Sequence, residues 1–222
     1  MSQISMTDNA RIMAEARAAL SGRWKMAVGA TAILLGIELG LSLLVYLGLP
    51  PYSDSFVDLL IKGPLELGFA LFYLQLLRGG ELRFSQLFSG FERYLTGLAA
   101  YLLMVLFILL WALLLIIPGV IAALSYSMTF YLLVDEPQLS AREALRKSKI
   151  MMIGNKWKFF CLGCRFIGWF LLGLLTLGIG LLWVIPYLST SLVRFYQDIR
   201  DVPPAVGSAD PDPGLSYGFD DQ

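Results

Sequence analysis

The chain has 222 residues, of which 57% are hydrophobic and only 15% are charged, with 17 basic and 17 acidic side chains in balance. Soluble domains carry about 25% charged residues, and a soluble fold of this composition would expose large apolar patches. The composition therefore excludes an ordinary soluble protein, leaves no basic soluble face for nucleic acid, and indicates an integral membrane protein.

Apolar stretches along the chain predict six membrane spans, because a helix needs about 20 apolar residues to cross the hydrocarbon core. The second carries Asp58, Lys62 and Glu66, and its regular part is expected to begin at Pro64. The last four come from two stretches too long for one crossing, with breaks predicted at Pro118 and near residues 177–180. The fold class is thus an all-α membrane protein of three hairpins, with spans at 26–49, 56–77, 98–117, 119–134, 159–176 and 178–193.

Polar segments at 10–25, 81–94 and 140–158 resemble one another. Each has a short helix-like stretch, then Gly, then an aromatic residue with basic neighbours, which suggests three degenerate copies of a cytoplasmic amphipathic helix followed by a hairpin. In the second copy, the residues predicted to share one helix face are Phe84, Leu87, Phe88 and Phe91. In the third, Ser140 and Glu143 fit a capping box, and the predicted small-residue face comprises Ala141, Ala144, Leu145 and Ser148. These helices could lie at the membrane interface or in solvated loops.

The distribution of Lys and Arg predicts the topology. Except for Lys62 and Arg165, they fall in the polar segments or at the adjoining span ends, whereas the links at 50–55, near 118 and near 178 contain none. The positive-inside rule then places both termini in the cytoplasm. The expected organisation is an N-terminal tail (1–9), one membrane domain (10–200) and a disordered acidic, Pro-rich tail (201–222). Hairpins that dip into the bilayer without crossing it would give the same charge pattern.

Several motifs resemble the domain of unknown function 975 family of bacterial integral membrane proteins. The resemblance covers most of residues 10–200, and the residues that carry it lie at 63–65, Gly68, 87–91, 139–158, 166–169, 175–180, Trp183, Pro186, Tyr187, Phe195 and Tyr196. It implies a multi-span protein of the bacterial inner membrane. The resemblance implies no established activity and no catalytic residues.

Ionisable residues at membrane depth are costly and therefore candidates for function. Glu38, Glu66 and Arg165 are selected on this ground. In the functional interpretation Arg165 pairs with one carboxylate while the other binds a cation or relays a proton. In the structural interpretation one ion pair, or a protonated Glu, holds helices together.

Other residues are assigned to packing. Gly36 and Gly40 form a GxxxG motif expected to contact another helix of the chain or a second copy. Trp24, Tyr94 and Trp157 are expected to anchor the protein at the membrane interface. Cys161 and Cys164 are expected to pack in lipid without a redox or metal role.

No metal site, cofactor or catalytic residue is expected, because the chain has no His and no phosphate loop or nucleophile motif. The leading hypothesis is a non-enzymatic inner-membrane protein that organises other membrane components. The alternatives are a small transporter or channel that uses the Glu and Arg residues, and a membrane-bending hairpin protein. The expected partners are the lipid bilayer, anionic lipids bound by the basic helices, and further copies or other membrane proteins.

Overall fold

The computed structural model describes residues 4–5, 7–47 and 53–200, and within these ranges the chain is all-helical with no strand. The all-α class is confirmed. In chain order the helices are α1 (Asn9–Leu20), α2 (Trp24–Tyr46), α3 (Ser53–Leu77), a 3₁₀ helix (Phe84–Arg93), α4 (Tyr94–Leu114), α5 (Ile116–Tyr126), α6 (Thr129–Asp135), α7 (Ala141–Met151), α8 (Lys156–Leu175) and α9 (Leu181–Arg200). The predicted tail at 201–222 and residues 50–52 of the first predicted link lie outside the described residues.

Four helical stretches in the described chain are long and apolar enough to cross a membrane: Trp24–Leu43, Phe84–Leu114, Ile116–Asp135 and Lys156–Leu175. These identify a membrane protein. The other predicted spans, 56–77 and 178–193, fall mainly on α3 and α9, which are of similar length; α3 carries four charged residues, and α9 adds Ser, Thr and Gln side chains to its three charged ones.

The two more polar helices occupy the centre of the helical packing. Helix α3 packs against α1, α2, α4, α6, α9 and the 3₁₀ helix, and α9 packs against α1, α2, α3 and α8. The core between them holds large buried side chains, including Phe72, Tyr73, Phe195 and Tyr196. Because their neighbours cover much of their surface, these helices can carry polar residues that an outer helix would expose to lipid.

A glycine seam joins α3, the 3₁₀ helix and α4; its members are Gly63, Gly68, Gly90 and Gly97. A Cβ built on Gly63 would lie 2.5 Å from the Gly97 carbonyl oxygen. A Cβ on Gly68 would overlap the Leu87 carbonyl oxygen, and one on Gly90 would overlap that of Pro64. The backbones therefore touch directly, which only glycine permits at this separation.

The helix breaks differ in part from those expected. Helix α3 runs through Pro64 without interruption, so the expectation that its regular part begins there is wrong. The break between α4 and α5 falls at the extended residue Leu115, and Pro118 lies in the first turn of α5, where its missing N–H costs no hydrogen bond. The turn between α8 and α9 lies where it was expected, with positive φ angles at Leu177 and Gly178.

Helix α7 begins with the predicted capping box. Ser140 N donates to Glu143 Oε2 (2.8 Å), and Glu143 N donates to Ser140 Oγ (3.4 Å). Hydrogen bonds from Ser140 lower the pKa of the Glu143 carboxyl below its usual value. The predicted small-residue face of α7 is buried, and the helix packs against α4, α5 and α6.

The second of the three similar polar segments, 81–94, forms the 3₁₀ helix where an amphipathic α-helix was expected. Of its predicted apolar face, Leu87 is buried while Phe84, Phe88 and Phe91 stay partly exposed.

Asp135, the last residue of α6, has a buried side chain. Its side chain is 7% exposed and accepts hydrogen bonds from Arg78 Nη2 (2.8 Å), the Tyr196 hydroxyl (2.9 Å) and Arg200 Nη1. One carboxylate thereby connects the ends of α3, α6 and α9.

Candidate functional site

A cavity of about 230 Å³ lies between α2 and α3, with Ile185 of α9 at its wall. Most of its lining is Leu, Ile and Phe, but four charged side chains also face it: Glu38 from α2, and Asp58, Lys62 and Glu66 from α3. Such a mixture of apolar walls and a few convergent polar groups is typical of a small-ligand site.

The charged residues of α3 form a line along one face. Asp58, Lys62 and Glu66 are spaced i, i+4 and i+8, so each lies about one turn from the next. Lys62 stands between the two carboxylates, and Glu38 approaches it from α2.

Lys62 connects the two helices electrostatically. Its Nζ donates to Asp58 Oδ2 at 2.8 Å and lies 3.8 Å from Glu38 Oε1. Glu66 forms no hydrogen bond or ion pair with any residue that the structure describes, and its side chain is accessible from the cavity. The site thus has three carboxylates and one ammonium group, and one carboxylate is free for a ligand.

Side chains pack closely at the end of the cavity nearer the C-terminal end of α3. Phe69 lines the cavity and stacks edge-on against the buried Tyr73, with ring centroids 4.6 Å apart. One turn of α2 before the cavity, the Thr31 and Tyr73 hydroxyls lie 3.2 Å apart, and both also reach the Ala27 carbonyl oxygen. These contacts hold α2 and α3 together between the cavity and the basic end of the helices.

Comparison with known sequences gives a family. The family described as "Protein of unknown function (DUF975)" matches residues 6–125 and 113–202. The chain belongs to this family. No curated protein and no solved structure matches it.

In this DUF975 chain the basic residue beside the carboxylates is Lys62 and not the expected Arg165. Arg165 lies exposed on α8 and does not line the cavity. It makes no ion pair within the described ranges, whereas Lys62 lies next to Glu38. The expected pairing of Arg165 with Glu38 or Glu66 is therefore not observed, because α8 does not border this cavity.

The remaining predicted residues of the DUF975 chain are scattered. A Cβ on Gly36 or Gly40 would meet no atom within 4 Å, so the expected intramolecular packing of the GxxxG motif is wrong for the part of the chain described. Trp24 packs partly against the core, Tyr94 is half-buried, and Trp157 is 74% exposed. Cys161 and Cys164 are free thiols, half-buried and exposed respectively.

Sequence reasoning selected two of the four charged cavity residues and missed Asp58 and Lys62. Both were assigned to an irregular start of the second span, since Pro64 follows them. The signal that identifies them is their i, i+4, i+8 spacing with Glu66, which has meaning only if the helix continues through Pro64.

Proposed function

We propose that this DUF975 protein is a non-enzymatic small transporter of the bacterial cytoplasmic membrane, which binds a small cation in the cavity between α2 and α3. The observation that carries the proposal is the carboxylate of Glu66, which has no partner in the described part of the chain and lies beside the Lys62–Glu38–Asp58 cluster. Ionisable groups at this depth are retained in membrane proteins mainly where they serve a substrate or ion pathway.

The charge of the site favours a cation over an anion. With all groups ionised, three carboxylates oppose one ammonium group. An entering cation can bind Glu66 directly and can compete with Lys62 for Glu38, whose contact with Lys62 is long at 3.8 Å. Carboxylate oxygens are also suitable ligands for hard cations and for protons.

The position of the charged groups along the helices fits a route across the membrane. Counted from Leu77 at the basic end of α3, Glu66 lies about 16 Å, Lys62 about 22 Å and Asp58 about 28 Å along the axis. In a core about 30 Å thick these groups extend from the middle to the outer boundary. The cavity would then open outwards, and the Phe69–Tyr73 contact would close its inner end.

The proposal includes six crossings with both termini in the cytoplasm. Support comes from the enclosed positions of α3 and α9, which explain how two less apolar helices could cross. The absence of Lys and Arg from the links at 50–55 and near 118 and 178 also supports it.

The test is flux into liposomes that contain the purified protein. Proton, Na⁺ and K⁺ uptake would be measured for the wild type, Glu38→Gln, Glu66→Gln and the control Glu81→Gln, whose side chain is 81% exposed outside the cavity. We expect wild-type flux above that of empty liposomes, an unchanged control, and loss of flux in E66Q. Equal flux in E66Q and wild type, or no wild-type flux of any of the three cations, would refute the proposal.

A second candidate function is the organisation of other membrane components. The Gly36–Gly40 face of α2, which none of the described residues covers, favours it, since small residues allow another helix to approach closely. Substituting Gly36 with Leu should then abolish crosslinking of α2 to a neighbour in the membrane, whereas the E38Q and E66Q changes should leave it intact.

A further inference from the structure

A second cavity, of about 260 Å³, lies between α4, α5, α7 and α8. Its wall is one face of α5, with lining residues at positions 118, 121, 122, 125 and 126, the spacing i, i+3, i+4, i+7, i+8 of a single helix side. Trp111 of α4 completes the wall. This cleft involves neither α2 nor α3 and is separate from the charged cavity.

The lining of the cleft changes from apolar to cationic along its length. Pro118, Ile121 and Ala122 line the part of α5 nearest its start, and Ser125 and Tyr126 line its end. There the Ser148 hydroxyl donates to the Ser125 carbonyl oxygen (2.8 Å), which places the adjacent Lys149 of α7 at the polar end of the cleft. Lys156, five residues beyond the end of α7, lines the cleft as well.

Among the residues that the structure describes, no acidic side chain neutralises the positive charge at this end of the cleft. In the described part of the chain, neither Lys149 nor Lys156 forms an ion pair, and no carboxylate lines the cleft. Lys156 is also the first residue of α8, so the positive end of that helix dipole lies at the same place. The Tyr126 hydroxyl has no hydrogen-bond partner among the described residues and can donate to a ligand.

We propose that this cleft binds one anionic phospholipid, with its phosphate between Lys149 and Lys156 and an acyl chain along the apolar face of α5. The phosphate matches the two ammonium groups, which have no acidic partner in the described ranges, and the acyl chain matches the wall formed by Trp111, Pro118 and Ile121. A soluble phosphate would leave that wall uncovered.

The neighbouring aromatic residues place the lysines at the level of lipid headgroups. Trp157 is 74% exposed and stacks on Phe160, with ring centroids 5.6 Å apart. Exposed Trp side chains of this kind lie at the boundary between headgroups and acyl chains. Lys156 is adjacent to Trp157, so it reaches the phosphates of the same leaflet.

The test is native mass spectrometry of the purified full-length protein with phosphatidylglycerol and with phosphatidylcholine of the same acyl chains. The double variant Lys149→Gln/Lys156→Gln is compared with Arg142→Gln/Arg146→Gln, which removes the same charge from exposed positions of α7 outside the cleft. A third variant, Ile121→Trp, fills the apolar part without changing charge and decides the question if the lysine variant does not fold.

We expect the wild type to retain one phosphatidylglycerol in preference to phosphatidylcholine. The lysine variant should bind it about tenfold more weakly, since each basic residue near an anionic lipid contributes to affinity. The arginine variant should bind phosphatidylglycerol within about twofold of the wild type, because its two substituted residues lie outside the cleft. The I121W variant should also lose binding. Equal losses in both double variants, no preference for the anionic lipid, or equally good competition by glycerol 3-phosphate would each overturn the proposal.

Discussion

Lys62 Nζ of α3 lies 3.8 Å from Glu38 Oε1 of α2, whereas its contact with Asp58 Oδ2 of its own helix is shorter, at 2.8 Å. The ammonium group is therefore held mainly by α3 and only weakly by α2. A cation that enters the cavity can replace it at Glu38 without breaking the stronger bond.

Replacing Lys62 with Met should increase the affinity of the site for a monovalent cation. The change removes the competing positive charge but keeps an unbranched side chain of similar length, and we expect about a tenfold lower half-saturating cation concentration. Flux into liposomes at varied cation concentration measures it. Lys25→Met, at an exposed position of the first turn of α2, is the matched control and should change nothing. Weaker binding in K62M would mean that Lys62 holds the site together instead of competing with its ligand.

Substituting Asp135 with Asn should destabilise the protein. Asn keeps the shape of the side chain but leaves Arg78 and Arg200 without their shared carboxylate. The arginines are partly solvated, so we expect a loss of about 1–3 kcal/mol, or roughly 2–4 °C of melting temperature for each kcal/mol. Thermal unfolding in detergent measures it, with Glu81→Gln in the exposed Glu81–Arg83 pair as control. An unchanged melting temperature in D135N would show that the three helix ends are held by packing alone.

Adding a methyl group to a glycine of the seam should destabilise the protein more than adding one to a glycine elsewhere. Gly68→Ala and Gly90→Ala would force a Cβ into a backbone carbonyl of the neighbouring helix, at a cost of about 1–3 kcal/mol or more. Gly163→Ala in α8, where a Cβ meets no atom within 4 Å, should be neutral or slightly stabilising because Ala favours the helix. Melting temperatures in detergent compare the three. Equal stability of G68A and G163A is the result that would contradict the close approach of α3 to the 3₁₀ helix.

We expect an impermeant thiol reagent, added outside intact cells, to label single cysteines introduced at Asp54, Ile117 and Ile179. The background chain has Cys161 and Cys164 replaced by Ser. A cysteine at Glu81 should react only after the membrane is opened, because the basic segments stay in the cytoplasm. Ile117 and Ile179 are exposed in the structure, so the readout reports sidedness and not burial. Protection of all three outer positions would rule out six crossings and favour hairpins that dip into the bilayer.

Local patterns in the sequence were enough to predict the membrane character, the all-α class, the capping box of α7 and the turn near residue 178. Each depends on residues close together in the chain: apolar runs, a Ser with Glu three residues later, and Gly-rich breaks. Glu38 and Glu66 were also found this way, because a charge within an apolar run is visible without knowledge of its neighbours.

The tertiary structure alone decided which residues meet. Arg165 and Lys62 both interrupt apolar stretches, yet only Lys62 reaches Glu38, because α2 packs beside α3 and α8 does not border that cavity. In the described ranges, packing likewise leaves the GxxxG motif of α2 uncovered and brings backbones into close contact at Gly68 and Gly90. The composition of one helix indicates whether that segment enters the membrane. Which residues contact one another depends on the shapes and charges of several helices together, and no single segment contains that information.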